Sequence, residues 1–169
     1  MAQNNECKKI EEYLGKYLKH SYLKNPIVYC GNFALNTVLV YYVQEAENAD
    51  IKINIDIALP NEISIKDADL TVLFGNLIEN AIDACENVQK DKRSIELKIH
   101  RPNAGSIVFS IDNTFDGNIK MSGNKFLSTK QNGSGIGIES AKYVVEKYNG
   151  DMKIEINDNK FCVSGVLLQ

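Results

Sequence analysis

The chain is poor in the residues that usually build a metal centre. It has two histidines, His20 and His100, and neither has a partner at metal-ligand spacing, which counts against a metal held by histidines. Its four cysteines, Cys7, Cys30, Cys85 and Cys162, lie far apart and form no C-x-x-C pair. That argues against zinc and suits a reducing compartment. Neither sign of charge dominates: 19 basic and 22 acidic residues leave a net charge of −3, and Lys and Arg form no block. Nothing therefore points to nucleic acid. Long apolar runs are missing too. The longest, residues 37–43, falls far short of the ~20 residues a membrane span needs. Residues 1–12 are polar, unlike a signal peptide. The chain as given is expected to be soluble, which leaves open that it is cut from a larger membrane protein. No internal repeat or low-complexity tract is present.

What is present fits one ordinary globular domain. The 169 residues are 44% hydrophobic and 24% charged, enough for a core of normal size. Residues 6–23 read as a helix with Ile10, Leu14, Tyr17 and Leu18 on one stripe, ended by Asn25-Pro26. A second helix is expected over residues 36–48, with Val40, Val43 and Ala46 near one face. Residues 51–57 alternate as a half-buried strand that Pro60 stops. Asp67 is the expected N-cap of a long helix reaching about Gln89, with Leu70, Leu73, Phe74, Leu77, Ala81, Ala84 and Cys85 towards the core. Two strands follow, marked by Ile95, Leu97 and Ile99 and by Ile107, Phe109 and Ile111, with a turn at Asn103-Ala104-Gly105. Residues 113–134 have no clear period and read as a functional or mobile loop. A helix over 138–148 follows, closed by Asn149-Gly150, and then two strands, 152–156 and 161–168, joined at Asp158-Asn159. Short turns between strands exclude an all-parallel sheet. The fold class is α+β, a two-layer sandwich with a mixed sheet and helices on one face.

Two segments carry chemistry. In N-L-I-E-N-A-I-D-A-C, residues 76–85, Asn76, Asn80, Asp83 and the later Asn87 fall within about 60° of one another around the helix. Any amphipathic helix has a solvated side. Asparagine, however, is a poor helix former, and Gly75, Ala81 and Ala84 keep the surroundings small. Amide oxygens are hard, neutral ligands suited to Mg²⁺ shared with phosphates. The second segment, N-G-S-G-I-G-I, residues 132–138, leads straight into a helix. Its glycines can close backbone N–H groups on an anion, and the helix N-terminus adds positive potential. Lys130 lies just upstream. A flexible hinge would look similar, and the pattern is neither a P-loop nor a dinucleotide fingerprint. Between the two, strand parity places Asn113 on the face of Ile111 and Phe109, and Asp112 on the other. Either could read the exocyclic amine of adenine at a strand end.

Taken in order, these pieces resemble the Bergerat-type ATP-binding fold shared by DNA gyrase, a heat-shock chaperone, sensor histidine kinases and the mismatch-repair MutL proteins, the GHKL group. Residues 76–85 match its N box, 112–117 its first glycine box, Phe126 its F-box position and 133–137 its second glycine box. The resemblance covers about residues 36–169. ATPases of this group carry Glu where this chain has Asn76. Asparagine there is the histidine-kinase pattern. The usual D-x-G-x-G is replaced by Asn113-Thr114-Phe115-Asp116-Gly117, and with Ser128-Thr129-Lys130 this looks like the Gram-positive peptide-pheromone quorum-sensing kinases of the accessory gene regulator C type.

The resemblance implies a protein histidine kinase that takes ATP and Mg²⁺ and passes the γ-phosphoryl to a histidine on a partner helix, then to a response regulator. Asn80, helped by Asn76, would hold Mg²⁺. Glu79 or Asp83 would tune the metal or accept a proton. Lys130 with Gly133, Gly135, Ile136 and Gly137 would neutralise phosphate charge. Phe126 belongs to the cofactor-binding set, and Asn113, or failing it Asp112, would read adenine. Residues 113–134 would form a mobile ATP lid. Residues 1–24 would be the tail of the dimerisation and phosphotransfer helices or a linker, and 25–169 the catalytic domain. His20 lies too close to that domain to be the phospho-acceptor. The chain would then be a fragment that binds ATP without phosphorylating itself, the cytoplasmic part of a membrane protein that is a homodimer at full length. An ATPase or anti-sigma-type serine kinase of the same fold, and an interaction module with a vestigial site, are the alternatives.

Overall fold

The structure, a computed structural model, describes residues 27–118, 120–122, 125–127 and 136–168. The expected helix over residues 6–23, Lys130, Gly133 and Gly135 lie outside them. In chain order the elements are α1 (Phe33–Asn48), β1 (Lys52–Ala58), α2 (Asp67–Glu86), β2 (Ser94–Asn103), β3 (Ser106–Thr114), β4 (Lys120–Ser122), β5 (Lys125–Leu127), α3 (Ile136–Lys147), β6 (Asp151–Asn157) and β7 (Lys160–Leu168).

The main sheet runs β1-β2-β3-β7-β6. β1 and β2 are parallel because α2 makes the long crossover between them; β2–β3 and β6–β7 are antiparallel across short turns, and β7 pairs antiparallel with β3 after the chain has returned through α3 and β6. The expected α+β architecture is thus the observed one. Ile95, Leu97 and Ile99 on β2, Ile107, Phe109 and Ile111 on β3, and Val163 and Leu167 on β7 form the buried face. The three helices cover it. α2 lies in the middle and buries Leu70, Leu73, Phe74, Leu77, Ile78, Ala81, Ile82 and Cys85. Each large apolar side chain removed from water stabilises the fold by about 1.5–3 kcal/mol. Phe74 meets Phe109 edge to face, with centroids 5.6 Å apart. Gly165 opposite leaves room for the Phe109 ring, whose tip a Cβ would strike.

Several boundaries differ from expectation, each for a local reason. α1 starts at Phe33 because Asn32 caps it, its side chain accepting the Leu35 N–H at 2.9 Å. Asn36, the expected start, instead accepts the Tyr29 N–H at 2.8 Å. The buried stripe of α1 is Leu35, Val38, Leu39, Val43 and Ala46, whereas Val40 is 39% exposed. Asp67 is not the N-cap of α2. Lys66 holds that position without a side-chain bond, and the Asp67 carboxylate accepts from Asn32 Nδ2 at 3.2 Å. α2 ends at Glu86, with Asn87 as its C-cap. Ala84 is only half-buried.

The described part of residues 113–134 is less loop-like than its composition suggests. β3 continues through Asn113 and Thr114, because Phe161 and Lys160 of β7 pair with them. Further on, β4 and β5 pair antiparallel. The C-terminus of α3 follows expectation: Asn149 adopts the left-handed conformation (φ 49°) and Gly150 N–H donates to the Val145 carbonyl at 3.0 Å.

Candidate functional site

The asparagine stripe and the end of the glycine segment meet. α2 and α3 run antiparallel, with Lys147 near Asp69 at one end and Gly137 against Asn76 and Asn80 at the other. A Cβ on Gly137 would stand 3.0 Å from Asn80 Nδ2, 3.4 Å from Asn80 Oδ1 and 3.4 Å from Asn76 Oδ1. Glycine is needed here for close approach rather than for a left-handed backbone, since Gly137 is helical. The positive end of the α3 dipole therefore lies beside the amides of α2.

The amides themselves are oriented. Asn76 Nδ2 donates to the Val72 carbonyl at 2.7 Å, and Asn113 Nδ2 donates to the Thr114 carbonyl at 3.0 Å. Turning either amide over would set oxygen against oxygen, so chemistry fixes both orientations and leaves each Oδ1 as an available acceptor. Asn113 is 3% exposed and sits on the helix-covered side of β3. Asn80 differs. Its Nδ2 is buried and has no partner among the described residues. An unmet buried donor costs about 1–3 kcal/mol, and such atoms call for a ligand. Rotating this amide exchanges nitrogen for oxygen without changing its shape, so Asn80 can present a hard oxygen beside that of Asn76. The donor set thus fits a divalent cation whose remaining ligands come from a bound anion.

Other expected site residues fall variously. Asp83 is half-buried one turn beyond Asn80, and Glu79 is exposed. Asn87 is exposed and donates to the Asp83 carbonyl at 3.1 Å, which keeps it a capping residue. Ile136 opens α3, and Phe126 pairs with Met121 across β4 and β5. Asp112 is a correction. It faces the opposite side of the sheet, in a hollow with Glu96, Lys52 and Lys160, because strand parity turns it away from α2. Gly75 and Ala81 are another: Gly75 faces the Tyr42 ring on α1, and Ala81 is buried in the core, so neither opens space at the asparagines.

Thr114 escaped the sequence reading. It is 7% exposed, its hydroxyl accepts the Ser94 N–H at 3.0 Å, and its carbonyl holds the Asn113 amide. Cys85 Sγ donates to that same carbonyl at 3.3 Å, and burial pushes the thiol pKa up. A threonine at a strand end carries no signal for such a role. Nor did sequence reveal Asp69, Lys147 and Tyr148, whose polar contacts join the far ends of α2 and α3.

Comparison with known proteins gives a consistent picture. Residues 65–169 match the model of a family described as the GHKL domain. No curated protein sequence matches the chain. Among solved structures, the nucleotide-free catalytic domain of histidine kinase ThkA is 18% identical, with a TM-score of 0.62 over 80% of this chain and 90% of that one. The mycobacterial sensor histidine kinase MprB is 14% identical, with a TM-score of 0.58 over 80% and 93%. Full-length ShkA in complex with AMPPNP is 16% identical, with a TM-score of 0.60 over 79% of this chain and 28% of that one.

Proposed function

The chain belongs to the GHKL domain family, and on that footing we propose that it is the ATP-binding catalytic domain of a sensor histidine kinase. The observation that carries this reading is the convergence of Gly137, Asn76 and Asn80 on one spot. ShkA, of the same fold, is known in complex with an ATP analogue.

In this reading Asn113 selects the base. Its amide nitrogen is taken by the Thr114 carbonyl, so its oxygen accepts from an exocyclic amine and disfavours a purine that presents a carbonyl there. The N-terminus of α3, with the glycines before it and Lys130, receives the phosphates. Asn80 and Asn76 would hold Mg²⁺, whose charge would offset that of the triphosphate. Phosphate oxygens of the nucleotide would supply further ligands to the ion. Catalysis is then positioning and electrostatics, with the γ-phosphoryl passed to a histidine on an upstream helix. Of residues 113–134, those beyond the end of β3 at Thr114 serve as the lid, and Phe126 belongs to it. Glu79 and Asp83 lie on α2 where they can tune the metal or take a proton. Asn76, standing where an ATPase of this fold carries Glu, favours phosphotransfer over hydrolysis. With Asn113 it also favours the peptide-pheromone quorum-sensing branch, in which the whole kinase is a membrane-anchored homodimer that serves a response regulator and keeps this domain in the cytoplasm.

Calorimetric titration with ATP, with and without Mg²⁺, tests the proposal. The expected result is Mg²⁺-dependent binding in about the micromolar range without steady phosphate release. Silence at millimolar nucleotide would sink it, and steady phosphate release would favour an ATPase.

A further inference from the structure

The α2–α3 pair has a second polar contact, at the end remote from Gly137. Asp69, in the first turn of α2, accepts from Lys147 Nζ at 2.7 and 2.9 Å and from the Tyr148 hydroxyl at 2.6 Å. That hydroxyl in turn accepts the Lys66 backbone N–H at 3.0 Å, at the start of α2 where the helix offers no acceptor of its own. The Tyr148 carbonyl accepts the Leu168 N–H at 3.0 Å, tying the same residue to β7. Asp69 keeps only 15% of its side chain exposed.

We propose that Tyr148 and Asp69 are positioning residues for the nucleotide site: they fix where α3 stands along α2, and so where its N-terminus stands relative to Asn76 and Asn80. The inference rests on the triphosphate-binding reading given above. The buried apolar side chains of α3 are Ala141, Val144 and Val145, in the same core as those of α2. Such contacts resist separation, but they are non-directional and oppose sliding weakly. Hydrogen bonds are directional and set axial position. α3 is 12 residues long, a stiff rod of about 18 Å, so a shift at Tyr148 appears nearly whole at Gly137. The clearance there is small. A Cβ would already be 3.0 Å from Asn80, so a sub-ångström displacement changes how the α3 N–H groups and the asparagine amides face one ligand.

The test compares two ligands on the full chain. Mg-ATP senses both the base pocket and the phosphate end, whereas adenosine senses the base pocket alone. Tyr148→Phe removes one hydroxyl and keeps the half-buried ring. It is expected to weaken Mg-ATP about five- to tenfold while adenosine, followed by amide chemical shifts, changes less than about twofold. Asp69→Ala should act alike. Asp69→Asn keeps an acceptor for the hydroxyl and should return Mg-ATP affinity to within about twofold of the parent. Equal weakening of both ligands would mean general loosening of the fold and would overturn the positioning role. So would unchanged Mg-ATP affinity in Tyr148→Phe beside a parent that binds both ligands. A parent that binds neither would instead overturn the reading on which the inference rests.

Discussion

The two ends of the α2–α3 pair are built in opposite ways. At one end Asp69, Lys147, Tyr148 and the Lys66 N–H satisfy one another in a closed set of hydrogen bonds. At the other, Asn76 and Asn80 face a glycine, and the Asn80 amide nitrogen is buried without a partner among the described residues. A closed network needs nothing further and serves as a fixed reference. An open one bears the cost of an unmet group in the empty state and regains it when a ligand arrives. One pair of helices thus contains a hinge-free anchor and the proposed binding end, separated by about three helical turns.

The sharpest way to break this contrast is Asn80→Ala. Removing the open end's unmet amide should cost Mg²⁺-dependent ATP affinity at least about a hundredfold, about 3 kcal/mol. The same change should leave thermal stability unaltered or slightly raised, since the folded chain loses an unsatisfied buried donor. Calorimetry and a melting curve on one preparation read both. A variant that melts lower and still binds Mg-ATP normally would make Asn80 a structural residue and erase the difference between the ends.

Next in size is Asn113→Leu. It removes the acceptor that Thr114 holds in place. ATP should weaken about tenfold, and its preference over GTP should fall towards unity, because purine discrimination at a buried polar group comes from leaving that group unpaired. Retained preference in competition binding would move base recognition elsewhere.

Much of this was legible in the chain, and the division is instructive. The i, i+4 spacing of Asn76 and Asn80 sets their face from helix geometry alone, and parity puts Asn113 beneath the helices. What failed was whatever depends on distant partners. Asp67 looked like a cap, but Asn32 claims its carboxylate from a neighbouring helix. Gly75 looked like clearance for a ligand, but Tyr42 fills it. Asn113 looked like the start of a loop, but β7 extends the ladder past it. Tyr148 is the last residue of the expected helix over 138–148, and nothing beside it marks a polar role. Its hydroxyl meets Asp69, 79 positions earlier, and no local pattern encodes that meeting.

Gly137→Ala sharpens the contrast by separating stability from binding. Alanine is favoured over glycine inside a helix by about 1 kcal/mol, so α3 should gain stability. The new methyl would press on Asn80 and Asn76, whose atoms would have to yield by a few tenths of an ångström. The expected outcome is a melting temperature at or above the parent's with Mg-ATP affinity several-fold lower. A rise in both would show that the binding end has slack.

The smallest effect expected is the pH response of the anchored end. The donating Lys147 ammonium, then the Tyr148 hydroxyl, hold the Asp69 carboxyl below its ordinary range, with Lys66 adding a smaller pull in the same direction. The hydrogen bond to Asp69 in turn raises Lys147. Folded Asp69 binds its proton less readily than unfolded Asp69. Its contribution is therefore complete above the unfolded value near 4, declines as pH falls through that region and is gone below the folded value. Lys147 has the opposite sign: its contribution is complete below about 10.4 and is lost as pH rises through the folded value. Neither group changes charge between these limits. The gap in melting temperature between the parent and Asp69→Asn should accordingly be flat from about pH 6 to 8 and close below about pH 4. Scanning calorimetry across that range reads it. A gap that persists undiminished at about pH 3 would mean that Asp69 holds the helices through shape and neutral hydrogen bonds, and that its charge adds nothing to the anchor.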